Sequence, residues 1–289
     1  YEINTSHTSP TLPGIELPQE LKASTTLQKV IESKELIVVA LGSDHLAVLN
    51  DADAEVLKST PLMILTKGLV KGSHTIWVDE WISDTFNTAK VAILSGPNIA
   101  IEIAGKLPAA TVVASLDAAL AETIQTALSN DYFRVYTSSD LRGVALGGIL
   151  KNVIAIAAGI ADGFQLGDNA KSTLIARGLQ EMAIMMMEFG AERHTVYGLS
   201  GLGDLVTTCI SPSSRNRTFG EKVAQSEQSD QFLLSHTVEG AKTVQILYEK
   251  AKNLELEFPI IQGIYKILFE KADAKVVMQE LMTRKLKAE

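Results

Sequence analysis

The sequence is short of several things, and each shortage excludes a class of protein. Its 289 residues include one cysteine, Cys209, so no disulfide can close within the chain. That fits a reducing compartment and gives a cytoplasmic expectation. Aromatic residues are only 6% of the chain, while apolar residues reach 46%, mostly Ala, Ile, Leu and Val, as in an α/β protein. There is no basic excess: 26 Lys and Arg stand against 34 Asp and Glu, a net charge of −8. Nucleic acid and anionic membrane both require a basic surface and are not expected partners. A small phosphorylated ligand needs only a few local cations. The histidines (His7, His45, His74, His194 and His236) are scattered. None has metal-ligand spacing with another His, a Cys or an acid cluster, so no metal is expected. Long hydrophobic runs are also missing. The charge-free stretch Asn152 to Ala161 is ten residues, too short to span a bilayer. There is no internal repeat, heptad array, nucleophile elbow or P-loop.

What is present is an alternation. Residues 1–23, with Pro10, Pro13 and Pro18, read as loop, and Ser24 to Ser33 as helix. Five short β-branched or apolar runs read as strands: Glu35–Leu41, Pro61–Thr66, Lys90–Leu94, Ala110–Ala114 and Phe133–Thr137. Helical stretches separate them at Asp44–Leu57, His74–Asp84, Ile99–Ala104 and Leu116–Asn130. Strands alternating with helices predict a parallel sheet with helices on both faces. Past Asp140 the pattern becomes helical: Val144–Asp162, Asn169–Phe189, Ser213–Gln225, Val238–Asn253, Pro259–Phe269 and Lys275–Leu286. Asn169 is placed as a cap and Gly190 as a C′ glycine. The fold class is therefore α/β: a partial Rossmann-like sheet domain over 1–139, then an all-helical domain over 140–289.

The most informative run is Gly147 to Asn169, GGILKNVIAIAAGIADGFQLGDN. It sets Lys151 in an apolar helix. A lysine there is snorkelling, paired or catalytic, and desolvation would loosen its hold on its proton, which suits proton donation.

Around it stand Thr66-Lys67-Gly68, Ser95-Gly96-Pro97, Gly201-Leu202-Gly203-Asp204-Leu205, Thr207-Thr208-Cys209 and Ser214-Arg215-Asn216-Arg217. This ordered set resembles the bacterial-type NAD(P)-dependent glycerol-3-phosphate dehydrogenases of phospholipid synthesis, from about Leu12 to near Phe269. The resemblance implies NAD or NADP as cofactor and a small phosphorylated substrate, with a homodimer admitted. It makes Lys151 the proton donor, Asp204 its partner and Lys67 a second active-site lysine. Substrate contacts would come from Lys67, Lys151, Thr208, Ser214, Arg215 and Asn216. Cofactor contacts would come from Lys67, Ser95, Gly96, Arg215 and Glu239.

The same comparison calls for a G-x-G-x-x-G turn holding the pyrophosphate. None occurs. Gly198 to Gly203 has the order G-x-x-G-x-G and reads as a turn holding Asp204. The resemblance places about one βαβ unit ahead of Tyr1, including the region that separates NAD from NADP preference. The expectation is then a sheet that lacks its centre, with two exposed strand edges and weak NADH binding. Two departures touch cofactor contacts. Gly42-Ser43-Asp44 replaces a loop that usually carries proline, and Asp44 would repel a diphosphate; Asn98 replaces a small serine. A second reading is a catalytically silent relative that binds phosphorylated glycerol or a protein. A third is a hydroxy-acid dehydrogenase, against which Arg215 counts as a phosphate anchor.

Overall fold

In a computed structural model, the described residues are 2–71, 75–225, 229–253 and 255–285. They fall into two compact units: Tyr1–Thr66 with Val70–Val144, and Lys67–Leu69 with Ala145–Glu289.

The first unit opens with two short helices, α1 (Glu2–Thr5) and α2 (Leu27–Ile31), so the segment read as loop contains one helical turn. Its sheet has five strands: β1 (Ile37–Val39), β2 (Leu62–Ile64), β3 (Val91–Ser95), β4 (Ala109–Ser115) and β5 (Phe133–Ser138). The helix expected over Asp44–Leu57 is two pieces, a 3-10 segment (Ser43–Asp51) and α3 (Ala54–Ser59). The break is chemical: the Asp53 carboxylate accepts from Glu55 N and caps a new helix. The next, α4 (Val78–Phe86), begins later than expected, and His74 lies outside the described residues. α5 (Ala100–Ala104) and α6 (Ala118–Leu128) complete the unit.

The strands lie in sequence order, β1-β2-β3-β4-β5. They are contiguous, which corrects the expectation of a sheet opened at its centre. A second correction concerns direction. β1–β2, β2–β3 and β4–β5 are parallel, but β3 and β4 are antiparallel, with Ile93 opposite Ala114. Connection length explains this. α5 has five residues and is about 7.5 Å long, about half the roughly 16 Å of β3, so the helix by itself does not span a parallel return. The eleven-residue α6 does, and β5 runs parallel to β4. One side of the sheet packs Met63, Ala92, Leu94, Val113 and Val135 against Leu120, Ala121 and Ile124 of α6.

The second unit is helical and is built on α7 (Leu141–Gly163), whose first residues count with the first unit. Every residue from Leu146 to Ala161 is buried. By length and composition α7 could cross a membrane, but 94% of its most apolar stretch is buried inside the protein, which marks a core helix. Each fully buried Ile or Leu stabilises by roughly 1.5–3 kcal/mol before ordering costs. Around it lie α8 (Gly167–Glu188), a 3-10 turn (Arg193–Tyr197), a π turn (Leu199–Gly203), α9 (Asp204–Ile210), α10 (Arg215–Ala224), α11 (Ser229–Ser235), α12 (Glu239–Asn253), α13 (Pro259–Phe269) and α14 (Ala274–Met282). The 193–210 helical turns were not read from sequence. Asn169 is no cap, since α8 already starts at Gly167. Gly190, at φ +82°, does terminate α8: its N–H reaches Met187 O and that of Ala191 reaches Met186 O, a Schellman motif.

α13 is capped from another helix. Glu181 of α8 accepts from Ile260 N (2.7 Å) and Ile261 N (3.2 Å). Burial pushes its pKa up to about 7, against the pull of these two donors and Arg284.

Candidate active site

Lys151 lies midway along the buried face of α7 and is 7% exposed. Its ammonium donates to Asp204 Oδ1 at 2.6 Å and to Thr208 Oγ1 at 2.6 Å. Asp204 opens α9 and Thr208 follows one turn later, so both side chains meet Lys151 from one helix face. The Thr208 hydroxyl also lies 3.2 Å from Asp204 Oδ1. The other carboxylate oxygen, Oδ2, accepts from Lys67 Nζ at 2.6 Å. Two ammonium groups thus share one carboxylate that is 2% exposed. Their side chains differ in access: Lys67 is 27% exposed, Lys151 only 9%.

Burial, and after it the neighbouring Lys67 charge, lower the Lys151 pKa to about 8, while Asp204 pulls the other way. The cluster carries one net positive charge, so it favours an oxygen that is or becomes anionic. Cys209 lies beside it, but burial pushes its thiol up to about 12, which leaves it protonated and inert.

Asn152, the next residue on α7, joins this cluster to α10 and α12. Its Nδ2 donates to Lys67 O at 3.4 Å, and its Oδ1 accepts from Asn216 Nδ2 at 3.0 Å. Asn216 Oδ1 in turn accepts from Gly240 N at 2.9 Å. Sequence reasoning gave Asn152 no role; its signal was a lone amide in an otherwise charge-free apolar run. Ser214 caps α10 by accepting from Arg217 N at 3.2 Å. Arg215 is exposed at the first position of α10, and among the described residues its guanidinium has no hydrogen-bond or ion-pair partner. Arg217, two residues on, is engaged instead by Asp162 (2.7 Å) and Glu221 (2.8 Å). Glu239 starts α12, next to Gly240.

The second unit therefore brings together Lys67, Lys151, Asp204 and Thr208, and ties Asn216 to them through Asn152. Ser95 and Gly96 belong to the first unit, at the carboxyl end of β3. Ser95 Oγ is buried and has no hydrogen-bond partner among the described residues. Gly96 has φ +154°, and an added Cβ would stand 3.0 Å from Thr111 Cα. Asn98 accepts from Thr111 Oγ1 at 2.9 Å, so it stiffens this loop.

Residues 1–121 match the NAD-dependent glycerol-3-phosphate dehydrogenase N-terminus, and residues 140–279 match its C-terminus. A Glycerol-3-phosphate dehydrogenase [NAD(P)+] of Streptomyces coelicolor is 40% identical, over 99% of this chain and 87% of its own. One from Listeria monocytogenes is 37% identical, over 100% and 87%. The crystal structure of glycerol-3-phosphate dehydrogenase from Coxiella burnetii superposes with a TM-score of 0.90 at 32% identity, covering 98% of this chain and 88% of that one. The chain belongs to the NAD-dependent glycerol-3-phosphate dehydrogenase family.

Proposed function

We propose that this protein interconverts dihydroxyacetone phosphate and sn-glycerol 3-phosphate with NAD(H) or NADP(H), and so supplies phospholipid synthesis from the cytoplasm. The carrying observation is the shared carboxylate: Asp204 holds Lys151 and Lys67 at 2.6 Å each. In this reading residues 1–139 hold the cofactor and residues 140–289 the substrate.

When bound, a reduced nicotinamide would supply the hydride that the carbonyl carbon needs. Lys151 gives its proton to the carbonyl oxygen, becomes a neutral amine and regains a proton from water. Its pKa of about 8 supports this, because the ammonium is populated at neutral pH yet gives up its proton readily. Asp204 and Thr208 aim the ammonium, and Lys67 faces the substrate oxygens. Arg215, with Ser214 and Asn216 at the start of α10, takes the phosphate, where an arginine fork and a helix N-terminus both favour an anion. Ser95 and Gly96 would hold the cofactor. Among the described residues the buried Ser95 hydroxyl has no acceptor, and the missing Gly96 side chain lets this loop lie against Thr111. Glu239 and Arg215 would add further cofactor contacts.

The test is oxidation of NADH and NADPH by the purified chain with dihydroxyacetone phosphate, followed by nicotinamide absorbance. Because the strands are contiguous, turnover with at least one cofactor is expected in place of the weak NADH binding that the sequence suggested; none with either overturns the reading. A homodimer is proposed alongside it, to be read from mass by light scattering.

A further inference from the structure

The turn that carries Asp204 meets α7 in a close backbone approach. α7 approaches the π turn at Gly147, one helical turn before Lys151. A Cβ placed on Gly147 would stand 2.5 Å from Ser200 O, 2.7 Å from Ser200 C and 3.0 Å from Gly201 N. These are backbone atoms, which cannot swing aside as a flexible side chain can. The turn is gripped a second time at Gly201, whose Cβ would stand 2.0 Å from Val196 O. It leads without a break into Asp204, whose own N–H is bonded back to Leu199 O and Gly201 O. The Gly147 contact and the Asp204 carboxylate thus belong to one short rigid piece of chain. Isolated π turns of this kind recur where a side chain must be aimed.

We propose that Gly147 is a positioning residue for the reaction: its missing side chain sets how far Asp204 reaches toward Lys151 and Lys67. The inference rests on the reading of Lys151 as proton donor. Any side chain at 147 pushes the π turn off α7. Asp204 and Thr208 withdraw with it, while Lys151 stays buried in α7. The ammonium then loses the carboxylate that favours its charge but keeps the burial and the Lys67 charge that oppose it. The proton is held less well and is aimed less well.

The experiment is Gly147→Ala in the full chain. Steady-state reduction of dihydroxyacetone phosphate at saturating reduced cofactor should show kcat down by at least about 10-fold, because small misplacements of a catalytic group are costly. KM should stay within about 3-fold, since the phosphate anchor is untouched. The alkaline limb of kcat/KM should move to lower pH by at least about half a unit. Gly178→Ala is the matched control. Its Cβ would stand 2.5 Å from the Ile154 side chain, so it presses on the same helix but not on the π turn. It should lower Tm and leave the limb in place. If Gly147→Ala does not fold, Ser200→Gly loosens the same turn without adding an atom, and its limb should also fall. Titration of 15N-labelled Lys151 by NMR reads the shift without turnover. A limb or NMR midpoint that is unmoved, or moved upward, overturns the inference. Full turnover by Lys151→Ala would instead remove the proton-donor reading, and the NMR titration would then judge Gly147 alone.

Discussion

Lys67 and Lys151 grip opposite oxygens of one carboxylate, each at 2.6 Å. The arrangement lowers the proton affinity of the more buried lysine, because burial and the second cation outweigh the attraction of half a shared anion. It also leaves the cluster with one unneutralised positive charge. Several outcomes can be checked.

Lys151→Ala should cut kcat by at least roughly 10²-fold, the low end for loss of a general acid. Rates of the variant across a pH series provide the check. Near-normal turnover with an unchanged profile would exclude the proton-donor role.

Lys67→Met should move the alkaline limb of kcat/KM to higher pH, by at least about half a unit. Lys67 is the charge that lowers Lys151, so its removal leaves Asp204 undivided and the Lys151 proton more firmly held. The direction is opposite to that expected for Gly147→Ala. A limb displaced downward would contradict the shared-carboxylate account.

Arg215→Ala and Arg217→Ala should part company. Arg215 is exposed and among the described residues has no hydrogen-bond or ion-pair partner, so its loss should leave Tm nearly unchanged. It should raise KM for dihydroxyacetone phosphate far more than for dihydroxyacetone; equal losses on both would refute the phosphate assignment. Arg217 holds Asp162 and Glu221, so its loss should cost roughly 1–3 kcal/mol in denaturant unfolding.

Glu181 makes stability pH-dependent. Its folded pKa, about 7, lies above the ordinary 4.5, so the fold binds this proton more tightly than the unfolded chain. Its contribution is therefore complete below pH 4.5 and is lost as pH rises toward 7. Glu181→Gln cannot titrate there. Urea unfolding at pH 5 and pH 8 should show the wild type losing on the order of 3 kcal/mol relative to the variant. Parallel pH dependence of the two proteins would rule out a raised Glu181.

Legibility from sequence followed the range of the interaction. The lysine inside an apolar helix and the β-branched strands are local patterns, and Pro259–Phe269 could be bounded to the residue because Pro259 opens it. The antiparallel β3–β4 pair was missed because direction depends on whether five residues of α5 can span a strand, a matter of length rather than composition. The π turn over Leu199–Gly203 was missed because Gly198 to Gly203 carries the composition of a loop. That Lys67 reaches Asp204, rather than only substrate, follows from no spacing: the two are 137 positions apart. Asn152 was quoted but left without a role, since its partners Lys67 O and Asn216 lie far along the chain.

Lys67–Leu69 counts with the helical unit, although the chain on both sides of it counts with the sheet. Three residues are thus lent by one half of the sequence to the other. A chimera joined at 139/140 from two relatives would take Lys151, Asp204 and Thr208 from one parent and Lys67 from the other. Each parent's segment would have to suit a carboxylate and an Asn152 amide it had not evolved beside. The helical half expressed alone would present Asp204 with a single cation. Recombination at the apparent seam is therefore not neutral for this protein, and the unit of inheritance for its chemistry is the whole chain.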